Sequence, residues 1–290
     1  MRKVTKAIIP VAGLGTRFLP YSKTVPKEML PILNIPSIQY IIEEAVASGI
    51  EEIIFITSSK KTAIVDYLDR DFALEAELND KGKFKQAESI KNIAKIAKYA
   101  FVRQHHPRGL GNAILQAKNW IGDEPFAILL GDDVIHNEGS PALKQLIDVF
   151  NQKQCSVIGV LEVENKDVFK YGVIEEGEII DEKSSYLKGV VEKPSIESAP
   201  SNKVIIGRYI LDPKIFKYLE RNYIDPKTKE VQLTDSILNL IDDDFPVIAT
   251  LFTGKRYDLG SVLGFIEAQI DYSLRDDELK MDVLKMLKKQ

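Results

Sequence analysis

The stretch AIIPVAGLGTRFLPYSKTVPKEMLP, residues 7–31, joins a short apolar run to a loop that is rich in glycine and proline. The apolar run is typical of a buried strand, because β-branched residues dominate it. In the loop, Gly13 and Gly15 let backbone amides approach an anion closely. Thr16 adds a hydroxyl donor, and the Arg17 guanidinium can bind a phosphate through two hydrogen bonds. The stretch therefore indicates a phosphate-binding turn after the first strand, with a plain tight turn as the alternative.

Lys27 lies in the second half of this stretch, between Pro26 and Pro31. Prolines on both sides favour a stiff, non-helical segment. We therefore expect Lys27 to be presented from a fixed loop beside the glycines, where its ammonium can stabilise phosphate charge. A lone solvated lysine is the alternative.

Two common nucleotide-binding motifs do not fit the loop. The dinucleotide fingerprint requires glycine where Phe18 stands, and the second predicted strand ends in Thr57-Ser58-Ser59 rather than in an acidic residue. A Walker loop requires Gly-Lys-Ser/Thr, which the chain lacks. A dinucleotide-dependent oxidoreductase is therefore disfavoured.

Outside this stretch, short apolar runs alternate with longer amphipathic segments, which is typical of β–α units around a parallel sheet. Residues 171–192 differ, because short strands with polar turns favour antiparallel hairpins. We predict an α/β fold with a Rossmann-like, mixed and mostly parallel sheet flanked by helices and an inserted antiparallel section. One helix is predicted over residues 60–78. The 290 residues are expected to form a single domain, with a core at about 4–260 and C-terminal helices at about 261–290.

Composition excludes several classes of protein. The 39 Lys and Arg residues against 43 Asp and Glu residues give a net charge of −4, which argues against nucleic-acid and membrane-surface partners. No apolar run approaches the roughly 20 residues that span a bilayer. The lone Cys155 excludes a disulfide framework, and three histidines leave little room for an imidazole-built metal centre. We expect a cytoplasmic protein.

Carboxylates stand at two places that suit a metal ion. Asp132 and Asp133 follow an apolar strand, and the carboxyl ends of parallel strands form the usual binding edge of an open sheet. Mg²⁺ prefers oxygen ligands and commonly takes one or two carboxylates together with phosphate oxygens. Asp258 stands just before Gly260 and a predicted helix. For each of these aspartates, capping a turn or a helix is the alternative role.

Two further segments carry groups that suit a base or a sugar. Gln104 follows the third predicted strand, and its amide can donate to and accept from a pyrimidine edge. Gly109 begins a Gly-Leu-Gly segment, in which the lack of a side chain at each glycine would let a base approach the backbone closely. Glu192 can accept from sugar hydroxyls, and Lys193 can meet a phosphate. Adjacent residues of a strand point to opposite faces, so Glu192 and Lys193 can serve one site only if the strand bends, which Pro194 favours. The alternative is that the two side chains form an exposed ion pair without a ligand.

Together these motifs resemble the sugar-phosphate nucleotidylyltransferases. The family pattern Gly-Leu-Gly-Thr-Arg-Phe-Leu-Pro, followed by Pro-Lys-Glu-Met-Leu-Pro-Ile, is present at residues 13–20 and 26–32. The resemblance is closest to the bacterial uridylyltransferase branch, which acts on UTP and glucose 1-phosphate. It continues in order over nearly the whole chain, through Gln104 and residues 109–111, 131–133, 171–172, 192–194, 207–209, 232–235 and 257–260.

The resemblance implies Mg-assisted, in-line transfer of a uridylyl group from UTP to α-D-glucose 1-phosphate, giving UDP-glucose and pyrophosphate. It implies one nucleotidylyltransferase domain, assembled as a homodimer or homotetramer. The implied catalytic residues are Arg17, Lys27 and Lys193, and the implied Mg²⁺ ligands are Asp132 and Asp258. The implied nucleotide-binding residues are Ala12, Gly13, Gly15, Thr16, Gln104, Gly109 and Asp132. The implied sugar-binding residues are Gly172, Glu192 and Lys193.

Two alternatives stay open at this point. One is a glucose-1-phosphate thymidylyltransferase, which would have the same mechanism. The other is a non-catalytic regulator that binds a sugar nucleotide, although the basic and acidic residues of the motifs are all present. The spacer at residues 21–25 and Leu259 depart from the family pattern, so the choice of UTP over dTTP, and of glucose over galactose or N-acetylglucosamine, is left open.

Overall fold

A computed structural model describes residues 1–221, 224 and 229–289 of the chain; Gln290, at the end of the predicted C-terminal helical segment, lies outside the described residues. The strands are β1 (Lys6–Pro10), β2 (Pro31–Ile32), β3 (Ile35–Pro36), β4 (Glu52–Thr57), β5 (Lys98–Arg103), β6 (Phe126–Leu129), β7 (Asp133–His136), β8 (Ser156–Glu162), β9 (Gly172–Ile179), β10 (Ser184–Glu192), β11 (Lys203–Leu211), β12 (Val247–Leu251) and β13 (Lys255–Asp258). The helices are α1 (Ser37–Ala47), α2 (Thr62–Leu68), α3 (Phe72–Asp80), α4 (Phe84–Ile93), α5 (Leu110–Leu115), α6 (Lys118–Ile121), α7 (Ala142–Lys153), α8 (Ile215–Glu220), α9 (Leu233–Asp242), α10 (Val262–Arg275) and α11 (Lys280–Leu287).

One nine-stranded sheet organises the described part of the chain, in the order β5-β4-β1-β6-β11-β8-β12-β10-β9. Strands β5, β4, β1 and β6 are mutually parallel, and β8 is parallel to β12. Strands β11 and β10 run against their neighbours, and β9 and β10 form an antiparallel hairpin. The predicted fold class, a mixed and mostly parallel sheet with an antiparallel section, is confirmed.

Two apolar cores lie on the two faces of the sheet. Ile9 packs into the core that α1 and α7 cover, whereas its neighbour Ile8 packs into the core that α5, α8 and α9 cover. Both side chains are fully buried. Helices on both faces explain why the first strand reads as a continuous apolar run rather than as an alternation.

The helix predicted over residues 60–78 is wrong in its extent, because the chain forms two helices, α2 and α3, with a break between them. Asp71 precedes α3, and its carboxylate accepts a hydrogen bond of 3.0 Å from the backbone amide of Leu74. An aspartate that caps a new first turn competes with continuation of the preceding helix.

The C-terminal segment also breaks into two helices at an aspartate, although this aspartate ends α10 and is not the N-cap of α11. Helix α10 ends at Arg275, and the carboxylate of Asp276 then accepts from the amides of Glu278 and Leu279 before α11 begins. Both helices leave apolar side chains exposed, among them Leu263, Met281 and Met286. The homodimer or homotetramer and the single-domain boundaries stay predictions. Among the described residues, no helix is long and apolar enough to cross a bilayer.

Strands β7 and β13 form a separate two-stranded antiparallel sheet that the sequence analysis did not predict. Its register places Asp133 opposite Asp258 and Ile135 opposite Arg256. The backbone amide of Leu259 also donates to the Asp132 carbonyl at 2.8 Å. This small sheet therefore brings the two acidic segments together at one end of the large sheet.

Candidate active site

The glycine-rich loop after β1 packs directly against Lys27. Gly15 has a φ of 64°, in the left-handed region that favours glycine, and the Ser22 hydroxyl donates to its carbonyl at 2.8 Å. A Cβ atom at Gly15 would stand 3.4 Å from the Cβ of Lys27. The loop and the lysine are therefore in contact, as the two prolines around Lys27 led us to expect.

A buried ion pair anchors the turn that carries Lys27. The Glu28 carboxylate, 1% exposed, accepts from the Lys61 ammonium at 2.7 Å, and the Glu28 carbonyl accepts from the Ser37 hydroxyl at 3.0 Å. Burial raises the pKa of Glu28, and the lysines on either side oppose that rise. The backbone at Lys27 is thus held by contacts that do not involve its own side chain.

Lys27 points at the end of β6. Its ammonium lies 2.5 Å from Asp132 Oδ2, and both side chains are mostly buried. Burial alone would raise the pKa of Asp132, but Lys27, followed by Arg17 and Arg256, holds it below its ordinary value. Burial likewise works to lower the pKa of Lys27, yet Asp132 and Glu28 raise it overall. The pair is therefore ionised at neutral pH.

Asp132, Asp258 and Arg17 converge on one point beside Gly260. A Cβ atom at Gly260 would stand 2.8 Å from Asp132 Oδ2, 2.9 Å from Asp258 Oδ1 and 3.3 Å from Arg17 Nη2. Ser261 caps α10 through its own hydroxyl, so Asp258 is not the helix cap; its carboxylate instead accepts from the Gly260 amide at 2.9 Å. A side chain at Gly260 would therefore clash with both carboxylates, so glycine allows them to approach each other there.

Asp133 faces away from this point. Its Oδ1 accepts from Arg256 Nε at 2.7 Å, and its Oδ2 would stand 2.7 Å from a Cβ atom at Gly207 on β11. It is 5% exposed. The structure therefore separates the two adjacent aspartates: Asp132 lies against Lys27 and beside Gly260, and Asp133 is buried against Arg256.

The chemistry of the two half-buried carboxylates fits Mg²⁺. Asp132 and Asp258 supply two carboxylates, which matches the one or two that Mg²⁺ usually takes together with phosphate oxygens. Within the described ranges, no three His, Cys, Asp or Glu side chains are grouped as a metal site built from protein alone. A site of this kind would need its remaining ligands from substrate and water.

A cleft of about 460 Å³ lies along the glycine loop, within the size range of small-molecule sites. Every residue predicted to bind the nucleotide lines it except Asp132: Ala12, Gly13, Gly15, Thr16, Gln104 and Gly109. Gln104 is mostly buried, and its side-chain amide donates to Asn112 Oδ1 at 2.9 Å. That contact fixes the amide at the cleft wall.

Gly109 has a structural reason to be glycine. Its φ is 89°, and a Cβ atom there would stand 2.7 Å from the Cβ of Glu230 and 2.9 Å from the Val231 carbonyl. The segment around Glu230 therefore closes one wall of the cleft. Glu230 was not predicted from the sequence as a site residue, and neither were Leu14, Pro107 and Leu110, which also line the cleft. No local sequence signal connects Gly109 to a segment about 120 residues later.

A second cleft, of about 180 Å³, adjoins the first and shares Leu110 and Leu130 with it. The three predicted sugar-binding residues, Gly172, Glu192 and Lys193, line it. Thr234, for which the sequence predicted no role, also lines this cleft and donates to Glu192 Oε2 at 3.0 Å.

The bend expected at the end of β10 is present. Lys193 has a φ of 45°, a left-handed conformation that is uncommon for a residue with a side chain. Its amide donates to the Tyr171 carbonyl at 3.0 Å, and its ammonium lies 3.4 Å from Glu192 Oε1. Because the strand turns there, two adjacent side chains line one cleft instead of opposite faces of the sheet.

The chain resembles known proteins over nearly its full length. Residues 6–274 match the sequence profile of the nucleotidyl transferase family. UTP–glucose-1-phosphate uridylyltransferase 1 of Staphylococcus saprophyticus is 48% identical over 286 residues, covering 99% of this chain and 98% of the relative. A crystal structure of UDP-glucose pyrophosphorylase with UDP-glucose is 41% identical, with a TM-score of 0.85, and covers 94% of this chain and 100% of that one. A UTP-bound UGPase from Acinetobacter baumannii is 39% identical, with a TM-score of 0.90, and covers 98% of both chains.

The profile covers most of the sequence, and these relatives share well over a third of their residues with it. Several of the motifs that prompted the family resemblance line two adjoining clefts in the structure, among them residues 12–16, 109–110 and 192–193. The chain therefore belongs to the nucleotidyl transferase family.

Proposed function

We propose that the protein transfers a uridylyl group from UTP to α-D-glucose 1-phosphate, giving UDP-glucose and pyrophosphate. The observation that carries the proposal is the pair of adjoining clefts. One is lined by the glycine loop, and the other by Glu192 and Lys193, which suit sugar hydroxyls and a phosphate. The relatives that share 39–48% of the sequence are named for this chemistry or for its substrates, which supports uridylyl over thymidylyl transfer.

The arrangement favours direct in-line attack of the sugar phosphate on the α-phosphorus of UTP. The attacking phosphate is already anionic, so the reaction needs neither a general base nor a covalent enzyme intermediate. The protein then acts by positioning the substrates and neutralising charge. Arg17 and Lys27 stabilise the departing pyrophosphate and the transition state. Lys193 offsets the repulsion between the two phosphates as they approach.

Asp132 and Asp258 are the residues that would hold Mg²⁺. When bound there, Mg²⁺ would supply charge neutralisation at phosphate oxygens. The chain's own part is to keep Asp132 ionised and to hold both carboxylates beside Gly260. Lys27 and Arg17 do this for Asp132 by lowering its pKa, and the Gly260 amide orients Asp258.

Replacing Asp258 with asparagine is expected to raise the Mg²⁺ concentration for half-maximal activity by about tenfold to a hundredfold, because one charged ligand is lost. A magnesium titration of pyrophosphate release measures this shift. Asp242→Asn, which removes a charge at an exposed position, is the matched control and should leave the titration unchanged. An unchanged Mg²⁺ requirement in Asp258→Asn would remove Asp258 from the site.

The function itself is tested by measuring pyrophosphate release with Mg²⁺ across a grid of UTP, dTTP, ATP, CTP and GTP against several sugar 1-phosphates. We expect a clear maximum at UTP with glucose 1-phosphate. A maximum at dTTP would assign the protein to thymidylyl transfer without changing the mechanism. A folded protein that is silent across the whole grid would instead support the non-catalytic regulator.

We also propose a cytoplasmic location, since the lone Cys155 fits a reducing compartment.

A further inference from the structure

Arg256 is a mostly buried residue that the sequence analysis did not single out, and its guanidinium joins two parts of the site. Nε donates to Asp133 Oδ1 at 2.7 Å, and Nη1 donates to the Tyr171 hydroxyl at 3.1 Å. Cζ lies 5.3 Å from the centroid of the Tyr171 ring, within the range of a cation–π contact. The side chain is only 16% exposed.

The first of these contacts stabilises the strands that carry the acidic residues. Asp133 lies directly opposite Asp258 in the β7–β13 register, and like charges at opposed positions destabilise a strand pair. Arg256 is opposite Ile135, so it is the diagonal neighbour of Asp133 on the same face. Its positive charge therefore offsets the repulsion between Asp133 and Asp258.

The second contact reaches the sugar side of the site. Tyr171 lines the smaller cleft, directly precedes Gly172, and accepts a backbone hydrogen bond from Lys193 at 3.0 Å. Arg256 itself lines neither of the two clefts. It can influence the reaction only through the residues that it holds.

We propose that Arg256 is a positioning residue. Through its hydrogen bond to Tyr171, it fixes the position of the smaller cleft relative to the acidic residues of β7 and β13. A planar guanidinium can reach Asp133 and Tyr171 at once, whereas a lysine ammonium is a single point charge. The inference rests on the proposed function, because it concerns the affinity for glucose 1-phosphate. It predicts that loss of the Arg256–Tyr171 hydrogen bond lowers the affinity for glucose 1-phosphate and leaves the affinity for UTP unchanged.

Tyr171→Phe removes that bond and keeps the aromatic ring. We expect its KM for glucose 1-phosphate to rise about tenfold, as for loss of one hydrogen bond to a charged group, with KM for UTP unchanged within about twofold. Arg256→Lys keeps a positive charge near Asp133 and should produce the same split between the two KM values. The double variant should be no worse than either single variant, because both changes remove one shared contact.

Steady-state kinetics with each substrate varied in turn test the proposal, with melting temperatures to verify folding. Tyr99→Phe is the matched control, since the Tyr99 hydroxyl donates to the Ile93 carbonyl at the opposite edge of the sheet. An unchanged KM for glucose 1-phosphate in Tyr171→Phe, an equal rise in both KM values, or additive effects in the double variant would each overturn the role of Arg256. A wild-type protein that shows no uridylyl transfer would overturn the proposed function instead.

Discussion

Replacing Lys27 with alanine is expected to lower kcat by a factor of about 10²–10³, the usual effect of removing one fixed group that stabilises transition-state charge. The ammonium lies 2.5 Å from Asp132, and the stem of the side chain packs against Gly15 of the glycine loop, so we expect it to contact the phosphates of the substrates. Its charge is secure at neutral pH because Asp132 and Glu28 raise its pKa against the effect of burial. The substitution therefore removes a full positive charge from beside Asp132, where we expect the reaction to occur.

The fold should survive this change. The turn around Lys27 is held by the Glu28–Lys61 ion pair and by the hydrogen bond from Ser37, neither of which uses the Lys27 side chain. Turnover under saturating substrates, together with a thermal melt, measures both expectations. Lys23→Ala removes an exposed lysine from the same loop and is the matched control, expected to stay within about twofold of wild type. Near-wild-type turnover in Lys27→Ala would contradict the assignment of Lys27.

The contact between the glycine loop and Lys27 was predictable because both lie within one short stretch of chain. Prolines and glycines restrict the backbone locally, and the residues of one loop can only lie near one another. The first strand was predictable for a similar reason, since an unbroken apolar run identifies a strand covered on both faces. Sequence reasoning was reliable wherever the deciding interactions were local.

The position of Asp258 beside Asp132 could not be predicted from the residues without the family resemblance. It depends on pairing between β7 and β13, two four-residue strands about 120 positions apart. The segments Asp-Val-Ile-His and Lys-Arg-Tyr-Asp are too short and too polar to show a clear strand alternation. Arg256 was missed with them, because its partners are defined only by that register. Non-local pairing, not residue chemistry, limited what the sequence could show.

The same limit concealed a fully buried charge in the core. Arg208 on β11 is 0% exposed, and its Nε and Nη2 donate to the Glu44 carboxylate on α1 at 2.9 and 2.6 Å. Nη2 also donates to the Asp133 carbonyl at 2.7 Å, and the Glu44 carboxylate accepts from the Leu143 amide at the start of α7 at 3.0 Å. One ion pair thus connects the sheet, two helices and the strand next to Asp132.

Glu44→Ala is expected to lower the free energy of unfolding by about 3–5 kcal/mol, because it leaves the Arg208 guanidinium buried without its counter-charge. Urea unfolding followed by circular dichroism measures the shift. The double variant Glu44→Leu with Arg208→Met should recover most of this loss, since replacing both partners of a buried pair by apolar groups is often close to neutral. Glu77→Ala, which breaks the exposed pair with Lys81 on α3, is the control and should leave the midpoint unchanged.

The comparison between the single and double variants separates two explanations for the pair. If an unpaired buried charge is the cause, Glu44→Ala is the less stable protein although it carries fewer substitutions. If the pair stabilises the fold by its own attraction, the double variant is at least as unstable as the single one. We expect the first result for stability. We also expect the double variant to lose activity, because residue 208 no longer donates to the Asp133 carbonyl next to Asp132, a predicted Mg²⁺ ligand. Recovery of stability without recovery of turnover would show that the buried pair is retained for the geometry of the site, whereas recovery of both would show that the packing of β11 alone holds Asp132 in place.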